Sequence, residues 1–316
     1  MTMTNHLFTT QTHSLQLDPM DALLSTDGDS VLAVIVGTEG PSYRPLGATM
    51  AVLGDKQRVG TLSSGCIEND IALHALEALE AGVPKRIRYG KGSPYADIQL
   101  PCGGGLEILL VPRPDRQVLG QLAERRAARL PATLSVDPET GALSLADQGE
   151  TGIAGHLFNI RFVPEIRFVV FGKGPEAATF LGLVQSAGYP NLLLSPDQET
   201  LDHGTSMGCA TRHLTAPAFP ADLAIDSRTA IVLFFHDHEW EPPILSGAID
   251  STAFYIGAQG SQRARDTRDL HLQAMGASDD QIARLRGPIG LLPSSRDART
   301  LAVSVLAEVL AVAAAK

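Results

Sequence analysis

Phe171-Gly172-Lys173-Gly174-Pro175-Glu176-Ala177 stands directly between an apolar run, Arg167 to Phe171, and a helical pattern, Pro175 to Ser186. A strand that turns on two glycines straight into a helix leaves the backbone few options. Gly172 permits the tight turn, Gly174 lets the backbone approach a pyrophosphate, and Ala177 allows the helix to lie close on the sheet. A plain glycine turn would use the same residues, so the surrounding pattern decides. It continues as alternating strands and helices: Asn191 to Leu194, Ala210 to Leu214, the wholly apolar Ala230 to Phe235, Ala253 to Ile256, and a closing helix, Leu301 to Ala311, that is apolar nearly all round. That order predicts a doubly wound, Rossmann-like parallel sheet over residues 166–316, with ligands at the carboxyl ends of its strands.

The second strand departs from dinucleotide chemistry. It ends Leu194-Ser195-Pro196-Asp197, with serine where an acid usually accepts from the ribose hydroxyls. Two readings stay open: Ser195 and Lys173 accommodate extra phosphate, or the turn holds something other than a nicotinamide.

Residues 1–114 read as a different, α+β block. Val31 to Val36 is a strand ended by Gly37, Gly40 to Gly47 is loop chemistry, and Ala48 to Leu53 is the return strand. Ile67, Ile71, Ala75 and Ala78 share one helical face, which Gly82-Val83-Pro84 terminates, and Leu106 to Val111 is a further buried strand. Between the blocks, residues 115–165 carry a charged helix and a β-hairpin signature at Asp137-Pro138-Glu139-Thr140-Gly141, and this connector could pack on either side.

Charge and cysteine usage narrow the class. A formal net charge of −10 argues against a nucleic-acid backbone as the main partner, while leaving small anions open. Three cysteines make no disulfide framework and suit a reducing, cytoplasmic setting. Met1 to Gln16 has no signal-peptide pattern, and Leu301 to Ala315 is too short and too interrupted to span a bilayer.

Several stations could carry chemistry. Ser63-Ser64-Gly65-Cys66-Ile67-Glu68 places a thiol in the first turn of a helix, where the dipole favours thiolate and Glu68 and Asp70 oppose it; a small packed thiol is the competing reading. Pro101-Cys102-Gly103-Gly104-Gly105 exposes backbone that can nest an anion, or is a flexible turn. Neither is a C-x-x-C, so zinc is not expected. His236-Asp237-His238 ends the central strand and reads as crevice lining, since alternating residues point to opposite sides. Gly260-Ser261-Gln262-Arg263 can offer N–H groups and a guanidinium to an anion, or is a surface turn. Arg263, Arg265 and Arg268 read as a solvated helix face, and Cys209 as structural.

Taken in order, these stations resemble the xanthine dehydrogenase accessory family, the XdhC/CoxI proteins. Gly40 to Met50 is similar to the family's Gly-Ser-x-Pro-Arg-x-x-Gly-x-x-Met loop, Ser63 to Glu68 to its Ser-Gly-Gly-Cys-x-Glu, and Pro101 to Gly104 to its second cysteine loop. Phe171 to Ala177, His236 to His238, Gly260 to Arg263, Gly287-Pro288-Ile289-Gly290-Leu291 and Ala302 to Val309 follow in family order. Ser64 and Pro175 depart from the family's glycine and histidine, and Gln262 from an arginine.

The resemblance implies a cofactor-insertion chaperone rather than a turnover enzyme. Such a protein binds molybdenum cofactor, including its dinucleotide form, protects it while sulfur is installed, and delivers it to a molybdenum hydroxylase apoenzyme. A cysteine desulfurase or sulfurtransferase and a second copy of the chain are the further partners it implies. Cys66 and Cys102, with Arg44 and the adjacent Gly65, Gly103 and Gly104, would then protect or coordinate the cofactor's molybdenum end, and Gly172, Gly174, Gly260 and Ser261 hold its phosphate end across a cleft between the blocks; Ser63, His236 and Arg263 are further cofactor-binding candidates. The competing expectations are an NAD(P)-dependent oxidoreductase and a noncatalytic relative whose Rossmann block is empty.

Overall fold

The computed structural model describes residues 18–54, 56–93, 100, 103–235, 239–293 and 295–315. The Met1 to Gln16 segment, Cys102, His236 to His238 and Ser294 lie outside the described residues. The chain divides into two compact units at the Pro164–Glu165 junction.

The first unit runs α1 (Pro19–Ser25), β1 (Ser30–Glu39), β2 (Thr49–Leu53), β3 (Arg58–Val59), α2 (Glu68–Ala81), β4 (Lys85–Gly90), β5 (Gly105–Pro112), α3 (Arg116–Ala127), β6 (Ala132–Val136), β7 (Leu143–Ala146), β8 (Gly152–Ala154) and β9 (Leu157–Phe162). Its strands form two antiparallel sheets, β3-β2-β1-β5-β4 and β7-β6-β9-β8. The unbroken apolar run of β1 has a simple cause. Val31, Ala33 and Ile35 face α2, while Leu32 and Val34 face α1, α3 and the smaller sheet, so both faces are covered. The connector therefore packs on the amino-terminal block, through Leu119, Leu122, Ala132, Leu134, Val136, Phe158 and Ile160.

Gly37 does not end β1. The strand continues to Glu39 through a bulge against β5 between Ile35 and Gly37, an extra residue that the apolar pattern cannot show. β4 escapes a pattern search because it is an edge strand: Ile87 and Tyr89 are buried, while Arg86 and Arg88 face outward to Glu107 and Glu39.

The second unit runs β10 (Arg167–Gly172), α4 (Pro175–Ser186), β11 (Asn191–Ser195), α5 (Gln198–Ser206), β12 (Ala210–His213), β13 (Thr229–Phe234), α6 (Glu241–Ile249), β14 (Tyr255–Ala258), α7 (Gln262–Ala274), α8 (Asp279–Ala283), β15 (Leu285–Arg286) and α9 (Ala298–Ala314). All neighbouring strands of this sheet are parallel, in the order β12-β11-β10-β13-β14-β15. That is the doubly wound Rossmann order, with its switch point between β10 and β13. One apolar layer unites the sheet with α4 and α9, and the opposite layer unites it with α6 and α7.

Two readings of this unit change. α9 is not uniformly apolar, because Ser304 and Glu308 are buried polar residues while Val303 is exposed. The basic helix face also divides: Arg268 is buried, ion-paired with Glu241 and donating to the Gln259 carbonyl at 2.7 Å, and only Arg263 stays solvated without a partner among the described residues. No helix among the described residues is long and apolar enough to cross a membrane.

Candidate functional site

In the first unit, strand register gathers the motif loops. Glu39, leaving β1, pairs with Gly105, entering β5, and Gly105 pairs with Gly90, leaving β4. Thr49, entering β2, lies towards the same end, and β3 pairs Val59 with Ala51, so the chain leaves β3 there too. The Gly40–Gly47 loop, the segment from Gly60 to Ile67 and the Gly103–Gly104 turn thus share one end of the five-stranded sheet. The contact there is tight. A Cβ on Gly104 would lie 2.0 Å from the Pro41 carbonyl oxygen and 2.9 Å from that of Glu39, so only glycine lets these backbones touch.

Glu68 organises the cysteine turn. Its Oε1 accepts from Leu62 N–H at 3.0 Å, Ser63 N–H at 2.8 Å and the Thr61 hydroxyl at 2.5 Å. Its Oε2 accepts from the Ser63 hydroxyl at 2.6 Å and Ile67 N–H at 3.2 Å. Burial pushes this carboxyl up, yet the Ser63 and Thr61 hydroxyls and the surrounding N–H groups outweigh it and hold the pKa at about 2. The turn is a nest wound around its own carboxylate.

Three expectations are corrected here. Cys66 is not in the first helical turn, since α2 begins at Glu68; it sits two residues earlier, exposed, its N–H donating to the Ser63 hydroxyl at 3.1 Å. Ser63 is not an exposed donor, being 1% exposed with its hydroxyl committed inside the turn. Glu68 is the turn's scaffold rather than merely an opposing charge beside the thiol. Gly65 is exposed, with φ +101°. Arg44 is exposed and makes no ion pair among the described residues.

In the second unit, Gly172 behaves as its motif predicts for packing. A Cβ there would meet the Phe234 carbonyl oxygen at 2.6 Å and the Ala177 Cβ at 3.1 Å. The phosphate half of the motif does not follow. Gly174 has φ +82°, but its N–H donates to the Thr200 hydroxyl at 2.9 Å, and that hydroxyl donates to Asp197 at 2.5 Å. Lys173 N–H goes to the Phe234 carbonyl at 3.3 Å, Pro175 has no N–H, and Glu176 puts a carboxylate in the first turn of α4. Ser195 is fully buried and accepts from Asp197 N–H at 3.1 Å, so it does not accommodate phosphate. Thr200, which closes the turn, carries no sequence signal beyond standing three residues after the Asp197 cap.

Around β14, Gly260 has φ +140°, and Ser261 caps α7 by accepting from Ala264 N–H at 3.2 Å. The loop before α9 is tied down: Glu308 accepts from Gly290 N–H and the Tyr255 hydroxyl, and Ser304 from Leu292 N–H at 2.7 Å. Two polar residues one turn apart in an apolar helix were the available signal for that clamp. Cys209 is buried, and burial pushes its thiol up to about 11, which makes it structural.

Comparison with known proteins covers both units. The family model described as the XdhC Rossmann domain matches residues 168–309, and that described as the XdhC and CoxI family matches residues 23–90. A protein named molybdenum cofactor insertion chaperone PaoD, from Escherichia coli, is 37% identical over 296 residues, covering 93% of this chain and 86% of its own. A Bacillus subtilis protein, named as a probable xanthine dehydrogenase subunit, is 22% identical over 92% of this chain and 95% of its own. A crystal structure titled as a xanthine dehydrogenase from Bacillus halodurans superposes with a TM-score of 0.74 at 22% identity, covering 94% and 95% of the two chains. That last likeness supports the fold.

Proposed function

The chain belongs to the XdhC and CoxI family, and on that premise we propose that it is a molybdenum cofactor insertion chaperone for a xanthine-dehydrogenase-type hydroxylase. The observation that carries the proposal is the 37% identity to a protein of that name along 93% of the chain, a match long enough to run through both units. The cofactor is cargo: the protein binds it, shields it and hands it to the apoenzyme.

The chemistry of the first unit supports that role. Cys66 offers a thiol on a turn whose shape is held by an internal carboxylate, so little ordering remains to be paid when its sulfur meets a ligand. In sequence, Cys102 directly precedes Gly103 and Gly104. Arg44, exposed and unpaired among the described residues, supplies a cation on the same unit for the anionic cofactor. Gly260, Ser261 and Arg263 stand at the mouth of the parallel sheet. The Gly172–Gly174 turn is left out, because its own hydrogen bonds are satisfied within the chain. The same closure weighs against the NAD(P)-dependent oxidoreductase. A sulfurtransferase or cysteine desulfurase partner, assembly as a homodimer and a cytoplasmic setting complete the proposal.

The test is anaerobic titration with molybdenum cofactor, followed by transfer to an apo-hydroxylase. Wild-type protein is expected to retain molybdenum through gel filtration and to restore hydroxylase activity. Undiminished cofactor binding by a Cys66→Ala/Cys102→Ala variant would remove the thiols from the account.

A further inference from the structure

We propose that the carboxyl-terminal unit holds one planar, uncharged heterocycle of pterin or nucleobase class in a cavity at the carboxyl end of β14, and no phosphate on its glycine turn. In a doubly wound sheet the ligand is shared between two halves of the strand-end crevice, one on each side of the switch point. Here the half over β10 and β11 is closed by the Gly174–Thr200–Asp197 chain of hydrogen bonds and by the buried Ser195. The half beyond β14 is open. It contains a cavity of about 790 Å³, whose lining includes Gln259, Gln262, Ile289, Leu291, Leu292 and Arg296. That volume falls within the range of small-molecule sites.

The walls favour a ring. Leu291 and Leu292 are 58% and 53% exposed, yet they are not on a loose loop. Gly290 N–H is held by Glu308, Leu292 N–H by the Ser304 hydroxyl at 2.7 Å, and Leu291 N–H by the Ser304 carbonyl at 3.4 Å. Two buried polar side chains of α9 thus pin two leucines at the rim of a concave site. A segment that only joined β15 to α9 would put polar residues there. Pinned apolar surface beside a cavity suits a flat apolar face; Gln262, whose Nε2 donates to Asp266 at 2.9 Å, keeps its amide oxygen to accept at the ring's polar edge, next to Gln259.

Charge argues against a phosphate. The lining contains two carboxylates, Glu176 and Asp297, against the single guanidinium of Arg296. The Thr300 hydroxyl and N–H capped by Asp297 hold that carboxyl below its usual range, so it stays anionic at neutral pH.

The ring has two sources, the pterin of a molybdenum cofactor or the base of its dinucleotide form, and naming them rests on the chaperone reading. The experiment is fluorescence titration of the full chain with oxidised biopterin, with competition by cytidine, guanosine and inorganic pyrophosphate. Biopterin is expected to bind, and a Leu291→Asp/Leu292→Asp variant to weaken it about tenfold or more. Val303→Asp, an equally exposed apolar residue of α9 outside the cavity, is the folded control and is expected to bind as the parent does. Competition by either nucleoside assigns the base as the source, and its absence assigns the pterin; both support the site. The proposal is overturned when no ring probe binds, when pyrophosphate displaces biopterin, or when the double variant binds biopterin normally. In that last case, loss of apo-hydroxylase capture would make the leucines a protein-docking surface. Cofactor loading is measured separately. Intact loading without ring binding sinks this site and spares the chaperone; ring binding without loading does the reverse.

Discussion

Cys66 and Cys209 are the same side chain in opposite surroundings, one exposed on a turn and one sealed under α5 with its thiol pushed up to about 11. Thiolate fraction and access both set alkylation rate. Iodoacetamide is therefore expected to modify Cys66 in the native protein and Cys209 only after unfolding, read by peptide mass spectrometry. Glu68 makes a second prediction. Its folded pKa of about 2 lies below the ordinary 4.5, so the stability it contributes is present above pH 4.5 and is lost as pH falls towards 2. The full contribution is about 3 kcal/mol. Glu68→Gln is expected to lower stability at pH 7 by a comparable amount and to flatten the unfolding free energy between pH 5 and pH 2, measured by urea titration; an unchanged acid limb would contradict the nest. At this scale the sequence was partly legible. It marked Cys66, Ser63 and Glu68 as one cluster, but which side chain faces outward depends on where the donors point.

Among elements, the decisive contacts are backbone on backbone. Gly104→Ala would force a Cβ to 2.0 Å from the Pro41 carbonyl oxygen and 2.9 Å from that of Glu39, the last β1 residue of the β1–β5 ladder, so backbone must move. A loss of more than about 3 kcal/mol is expected, seen as a lowered thermal midpoint together with lost cofactor loading. In the other unit, Thr200→Val removes the acceptor for Gly174 N–H. A loss of about 1–2 kcal/mol is expected, with no gain of NADH binding, because Pro175 and Glu176 remain at the start of α4. Tight NADH binding by that variant would show that Thr200 alone had been the obstacle. Apolar runs disclosed β1, β2, β5, β10 and β13 because both of their sheet faces are covered. β4 stayed hidden because an edge strand alternates charge with burial, and the bulge at Gly37 shifts register without changing composition.

For the whole molecule, the two units have separate apolar cores, each wrapped around its own sheet. A fragment beginning at Glu165 is accordingly expected to fold alone, with a single cooperative thermal transition in circular dichroism; a molten profile would mean that its core is incomplete. The sequence by itself determined the main buried strands, the change to alternating strands and helices near residue 165, and the loops that carry thiols and glycines, since periodicity and turn chemistry are local properties. Tertiary structure decided the rest. It brought three distant loops to one end of a sheet, turned Glu68 inward and Cys66 outward, and spent Gly174 N–H on Thr200. It also pinned Leu291 and Leu292 beside a cavity. Each of those outcomes depends on which donor meets which acceptor across the fold, and one chain's spacing does not encode that.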